Sequence, residues 1–540
     1  MKKIFIIVTL MTITVTAMSV PARREGVIRT AEDGTEKMVW LHGDAFFHYM
    51  TDSEGRWLNE ETLQPLNETE RAAMEQVGVA RNQVRKAKQG IGGAPNLAPR
   101  GLIILVNFQN MSFTTPHDTI DSLMNGVNFS RTYDYNFNYY GTHYEGTVIA
   151  SGSARQYFQD QSYGQYNPVF DVVGPYTVSK NYEFYGKNTS GGGISSEVGT
   201  MIKEACELAN QHGADFTLYD NDLDGKVDFV YVIYAGEGEA DGGNVNTIWP
   251  HNAGLERNWG KSCTVDGKRI DNYACSNEIN HYSAIYTGIG TFCHEFSHVI
   301  GLPDLYATNN ATHKTCGRWD ILDYGPYNND GNTPPGYSTY ERFFCGWLTP
   351  RVLSTGEVVT LPTIDEQEAL LLCSGDSHNL SGYAPNPNTF YLLEARKQEG
   401  WDEYIPGEGL MITKVTFSSS SWYQNTVNNT ANAQGVDILE ADGVKPSYIA
   451  GNDNGWKGKA TDLFPAGATQ WTAFANHEVT NIAWDGVAKQ ITFKYRGGWP
   501  TEIEHAEAVQ PAQKVLRDGK IVIIRGNKEY DILGHENHQL

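Results

Sequence analysis

The sequence predicts an α+β molecule in which a mixed-sheet domain is followed by an antiparallel β-sandwich, and three observations carry that reading. Residues 101–108, GLIILVNF, and 227–236, VDFVYVIYAG, are continuous apolar runs of the kind that mark strands buried on both faces. Between them, in SSEVGTMIKEACELANQHG, the residues Val198, Met201, Ile202, Ala205, Cys206, Leu208 and Ala209 recur at helical spacing, and Gly213 closes the segment. From about residue 351 the texture changes to short alternating runs, EVVTLPTI, TFYLLEAR, GLMITKVTF and QITFKYR, separated by Gly, Asn, Ser and Pro. That spacing is the pattern of a sandwich.

The elements in order divide the chain into five parts. The first residues combine two lysines, an apolar run and small residues at 19–22, the layout of a secretory signal peptide, which is assigned residues 1–22. This segment contains no cysteine to carry a lipid, and no later run is apolar enough to span a bilayer as a helix. Export is therefore expected. Residues 23–98 mix charge with short patterned runs and end in RKAKQGIGGAPNLAPR, an exposed linker suited to proteolytic nicking, so they read as a propeptide. The mixed-sheet domain then spans 99–350 and the β-sandwich 351–498. The tail, 499–540, has two strand-like runs after a Pro-containing spacer and is either a sorting or attachment element or an added hairpin.

Composition narrows the partners. The 540 residues exceed what one core usually organises, and 40% hydrophobic with 12% aromatic residues excludes a disordered chain. With 64 acidic against 41 basic residues the net charge is -23, and no basic patch offsets it, so nucleic acid and anionic membrane surfaces are not expected partners. Seven cysteines in so long a chain do not make a disulfide framework; Cys263 with Cys275 is the nearest plausible pair, and Cys293 is expected as a buried thiol.

The chemistry is concentrated in TFCHEFSHVIGLPDLY, beginning at Thr291. Residues 285–300 carry an apolar helical face through Ile289, Phe292, Phe296 and Val299, and Gly301 follows as a C-cap. His294 and His298, at i and i+4, present both imidazoles on one face, close enough to share a metal ion. Glu295 points to the side, where a general base belongs. The turn at Gly301 can bring Asp304 back to the same ion, although Pro303-Asp304 could equally form a simple turn, with another acidic or histidine side chain taking the third place. Three protein ligands and one open position make a catalytic zinc arrangement, and a His/His/Asp set suits zinc over magnesium or calcium.

This stretch resembles the elongated H-E-x-x-H-x-x-G-x-x-H/D signature of the metzincin zinc peptidases, and within them the immune inhibitor A (M6) peptidases. In that family HEFSHVIGLPDLY is followed by a G-x-W-D segment and a G-W-L helix, which recur here as CGRWDILDYGPY and STYERFFCGWL. The resemblance covers roughly residues 100–500. It implies a metzincin-like catalytic domain, protein or peptide substrates, a secreted or surface location on a bacterium, and a zinc-bound water activated by Glu295. The methionine that metzincins place beneath the zinc is Leu322 here, of similar bulk. Tyr324 falls where some metzincins keep an oxyanion-stabilising tyrosine, and packing is its alternative role.

DNDLDGKVD supplies carboxylates at Asp220, Asp222, Asp224 and Asp228, a glycine at 225 and the backbone carbonyl of Lys226, the first five ligand positions of a calcium loop. A solvated acidic turn is the other reading. A secreted peptidase must be held silent as a zymogen. No cysteine precedes Cys206, so a thiolate cannot block the zinc; Asp44 in LHGDAFF is either a blocking carboxylate or an ordinary turn aspartate. The competing functional reading is a catalytically silent relative that acts as a surface-binding or adhesion protein.

Overall fold

The structure is a computed structural model that describes residues 19–84, 98–139, 142–189, 192–281 and 286–498, with three short strands at 513–517, 520–525 and 528–530. The leader residues 1–18, most of the expected linker and the remainder of the tail lie outside the described residues.

The central sheet has five strands in the order His251–Gly254, Asn272–Ile279, Val230–Glu237, Arg100–Asn107, Val169–Thr177. Only the His251–Gly254 strand runs antiparallel. Both apolar runs singled out in the sequence lie in its middle, which is why they do not alternate. Leu102, Ile104, Val106, Val230 and Val232 face the helix Glu197–Gln211 through its Val198, Met201, Ile202, Ala205 and Ala209. Ile103, Leu105, Tyr231 and Ile233 face the opposite way, against Phe292, Cys293 and Phe296 of the helix Gly290–Ile300. The period of two in the strands thus sends alternate side chains to two helices, and one of these carries the histidines.

After residue 350 a five-stranded sheet and a three-stranded antiparallel sheet follow, in the orders Arg351–Val352, Leu370–Cys373, Thr389–Arg396, Gly409–Thr416, Val436–Ile438 and Glu357–Pro362, Gln490–Tyr495, Val479–Asp485. Leu370, Leu372, Leu393, Leu410 and Ile412 share a core with Val359, Leu361, Ile491 and Phe493 of the smaller sheet. The alternate residues Leu371, Cys373, Phe390, Leu392, Met411 and Val415 belong to the same core as Phe296, Trp319 and Tyr340. Residue 350 is therefore no break in packing. A buried ion cluster ties the same junction: Arg396 donates to Asp402 at 2.6 and 2.7 Å, to Glu394 at 3.0 Å and to the Gly336 carbonyl at 3.2 Å.

The expected propeptide is a four-stranded antiparallel meander, Gly26–Thr30, Glu36–Gly43, His48–Thr51 and Trp57–Leu58, followed by the helix Glu68–Val84. Val27, Val39, Leu41 and Met50 pack in the same core as Val198 and Trp249. The tail strands Gln513–Arg517, Lys520–Arg525 and Lys528–Tyr530 form a three-stranded antiparallel sheet, one strand more than the sequence suggested.

All seven cysteines are free and buried. The expected Cys263–Cys275 pairing is corrected by strand register: Cys275 lies opposite His251, with its Sγ 3.5 Å from His251 Nδ1, whereas Cys263 sits on a separate hairpin, its thiol hydrogen-bonded to Cys206. No helix among the described residues is long and apolar enough to cross a membrane.

Removing one partner of a fully buried ion cluster leaves the others uncompensated. Arg396→Ala is expected to lower stability by ~3–5 kcal/mol, read as a fall in melting temperature, with residues on both sides of 350 unfolding together.

Candidate active site

The helix Gly290–Ile300 ends at Gly301, whose φ of 111° lies in the left-handed region that favours glycine and reverses the chain. That reversal carries Asp304 back over the last helical turn. His294 Nε2, His298 Nε2 and Asp304 Oδ1 form a nearly equilateral triangle, with edges of 3.2 Å between the imidazoles and 3.2 and 3.3 Å from each to the carboxylate. All three side chains are fully buried.

The ring orientations are fixed from behind. His294 Nδ1 is 2.7 Å from the Ile321 carbonyl and His298 Nδ1 is 2.9 Å from the Leu302 carbonyl. A carbonyl only accepts, so each Nδ1 carries the proton and each Nε2 presents a lone pair. Asp304 is fixed in the same way: Asn425 Nδ2 donates to its Oδ2 at 2.5 Å, and its own backbone N–H donates to Asn425 Oδ1 at 2.8 Å. Asp304 Oδ1 is buried with no hydrogen-bond donor. Three electron-rich atoms thus face one another with no proton between them.

Metzincin and M6 resemblance alike imply a metal here, and the residues fit one. Tetrahedral zinc with ligands at about 2.0–2.1 Å requires ligand atoms ~3.3 Å apart, which is the size of this triangle. Glu295 stays outside it. Its Oε1 accepts the Val20 N–H at 3.0 Å, and its buried Oε2 has no hydrogen-bond partner. Burial, with Asp304 and Asp44 nearby, pushes the Glu295 pKa up to about 8 against the lowering effect of His294 and the Val20 N–H.

The sequence did not point to what covers this site. Residues 19–23, most of which the expected boundary assigned to the leader, form a strap across it. Three aromatic donors take three successive strap carbonyls: Tyr306 OH donates to Ser19 at 2.5 Å, Trp249 Nε1 to Val20 at 3.2 Å and Tyr327 OH to Pro21 at 2.6 Å. Beyond them Ala22 N donates to Gly43 O and Arg23 N to Ala240 O. Asn425 was also missed, because it lies 121 residues from its partner in a segment without a motif.

The other candidate residues are placed as follows. Leu322 is fully buried, and its carbonyl accepts the Leu305 N–H at 2.8 Å, so this turn supports both the His294 ring and the Asp304 loop. Tyr324 packs its ring edge-on to Trp456, with the Arg24 guanidinium 4.8 Å from its centroid. Asp44 Oδ1 caps its own turn, accepting from Phe46 N and Phe47 N at 2.9 and 3.3 Å. In the acidic loop, ligand atoms of Asp220, Asp222 and Asp224 converge around the turn at Gly225. Asp228 does not join them: its Oδ2 accepts both the N–H and the side-chain amide of Asn221 at 2.7 Å. The Lys226 ammonium pairs with Asp224, and Lys268 Nζ is 2.6 Å from Asp220.

Comparison with known proteins places these residues in a family. Residues 96–347 match the model of the immune inhibitor A peptidase M6 catalytic domain. The Pre-pro-metalloprotease PrtV of Vibrio cholerae is 27% identical over 241 residues, 39% of this chain and 26% of that protein. Immune inhibitor A of Bacillus thuringiensis subsp. alesti is 25% identical over 278 residues, 45% of this chain and 39% of that protein. The alignments thus span well under half the length of these relatives.

Loss of a group that orients a metal ligand typically costs ~10–100-fold in metal affinity. Asn425→Ala is expected to weaken zinc binding by about that factor, measured by competition with a chromogenic chelator, while circular dichroism stays that of the parent.

The matched domain, residues 96–347, is that of the M6 (immune inhibitor A) metallopeptidases, and it contains the two histidines, the adjacent glutamate and the returning aspartate.

Proposed function

We propose that the protein is a secreted zinc endopeptidase, made as a zymogen, that hydrolyses peptide bonds of proteins in a metzincin-like domain followed by a β-sandwich, antiparallel except where Arg351–Val352 pairs in parallel with Leu370–Cys373. The triangle of His294, His298 and Asp304, with Glu295 beside it and outside it, carries the reading. Zinc bound there supplies a Lewis acid and lowers the pKa of a bound water toward ~7. Glu295, whose Oε2 has no hydrogen-bond partner, accepts the proton of the attacking water and returns it to the leaving amine. Asn425 and the Ile321 and Leu302 carbonyls keep the three ligands in register.

Latency is read from the strap, and the leader cut is accordingly proposed before Ser19 instead of after Ala22. Its Val20 N–H holds the carboxylate oxygen that would take the proton, and its carbonyls fill the aromatic donors that line the cleft. Asp44 contributes its charge near Glu295 while capping a turn, so the blocking group is the strap backbone. The catalytically silent alternative is opposed by the complete metal triangle and by the metalloprotease relative.

Glu295→Ala, processed with the same added and then inhibited protease as the parent, is expected to cleave casein ~10²–10⁴-fold more slowly while binding zinc as the parent does. Chelation abolishes parental cleavage and zinc restores it. A Glu295→Ala chain as active as the parent would contradict the reading. The acidic loop is proposed as a structural calcium site through Asp220, Asp222 and Asp224. Calcium is then expected to raise the melting temperature of the zinc-loaded parent but not of Asp222→Ala; an equal response in both would contradict it.

A further inference from the structure

Beyond the aromatic donors, the strap runs into a box of rings. The Arg24 guanidinium lies 4.8 Å from the ring centroid of Tyr324, 4.5 Å from that of Tyr448 and 5.1 Å from that of Trp456. Trp456 stands nearly perpendicular to both tyrosines, at 82° and 81° with centroids 4.8 and 5.0 Å away, so the three rings make adjoining walls. The neighbouring Arg23 behaves differently and pairs with Asp330 and Glu25. Among the described residues no carboxylate forms an ion pair with Arg24; rings take its charge instead.

The walls are held by the body of the protein as well as by the strap, where Tyr448 OH donates to the Arg24 carbonyl at 3.2 Å. Tyr324 belongs to the turn whose Ile321 carbonyl orients His294, and its N–H donates to Gly317 O. Tyr448 N donates to Thr312 O, and Arg318 N donates to the carbonyl of Lys457, next to Trp456. Behind the box, the fully buried Asp323 keeps one carboxylate oxygen without a hydrogen-bond partner. Rings that present their faces to one point favour a cation.

Resting on the peptidase and zymogen reading above, we propose that Tyr324, Tyr448 and Trp456 form a cation subsite that Arg24 fills in the latent chain and that an arginine or lysine side chain of the polypeptide substrate fills once the strap has left. Arg24 lies four residues from Val20, whose N–H reaches Glu295, so the box is within reach of a peptide lying along the cleft. The role assigns Tyr324 to substrate recognition through its ring face.

The test uses the full chain carrying Glu295→Ala to prevent self-cleavage, with and without Arg24→Ala. N-acetyl-arginine amide is titrated against tryptophan fluorescence and melting temperature, with the near-isosteric, uncharged citrulline amide as control. In the Arg24→Ala chain the arginine amide is expected to bind saturably and at least about tenfold more tightly than the citrulline amide, and to give no such response where Arg24 is present or where Trp456→Ala is added. Equal responses to the two amides, or an arginine response that survives Trp456→Ala, overturn the subsite. For the substrate, a peptide library cleaved by the processed parent chain is expected to show arginine and lysine enriched at one fixed distance from the scissile bond; a library with no such position overturns the assignment to substrate. Casein cleavage by the parent reads the peptidase assignment separately, because the amide titration needs no turnover.

Discussion

Two imidazole lone pairs and a carboxylate oxygen are held within 3.3 Å of one another in a fully buried place with no donor among them. Left without a cation, that arrangement is repulsive and costly, since a buried anion needs a partner. The surrounding structure is arranged to maintain it. Gly301 turns the chain, the Ile321 and Leu302 carbonyls fix which ring nitrogen carries the proton, and Asn425 grips the aspartate through both its amide nitrogen and its oxygen. Each of these contacts lowers the number of ways the three ligand atoms can turn away.

The packing explains why the site can be so constrained. The ligand helix is pressed against the central sheet by Phe292 and Phe296, and the same core continues through Trp319 and Tyr340 into one face of the five-stranded sheet. Asn425 reaches the site from the segment that follows this sheet's Gly409–Thr416 strand. The region after residue 350 thus helps to hold the candidate metal site rigid, through Asn425. The strap enters from the other side, anchored in the core that backs the opposite face of the central sheet, so covering the cleft and stabilising the fold are one act of packing.

Much of this was legible in the sequence, for identifiable reasons. The two strands at 101–108 and 227–236 were readable because strands buried on both faces lose their alternation, and the helix at 197–211 because one face only is buried. His294, Glu295, His298 and Asp304 were readable because the helix and its glycine cap are local, so spacing fixes geometry. The strap, Asn425 and the aromatic box were not, since each joins residues more than a hundred positions apart and none has a local period. Asp228 misled for a related reason: spacing placed it in the acidic loop, but Asn221 offered its carboxylate a closer pair of donors. Cys263 likewise interacts with Cys206 on the long helix, while Cys275 lies opposite His251 in the central sheet.

X-ray absorption at the zinc edge of the purified full chain reads directly which atoms surround a bound zinc ion. The triangle of His294, His298 and Asp304 predicts a four-coordinate shell at about 2.0–2.1 Å containing two imidazoles, one carboxylate oxygen and one further light atom, with one imidazole lost from the spectrum in His298→Ala. Sulfur scatterers, a six-oxygen shell, or a spectrum unchanged by His298→Ala would contradict it.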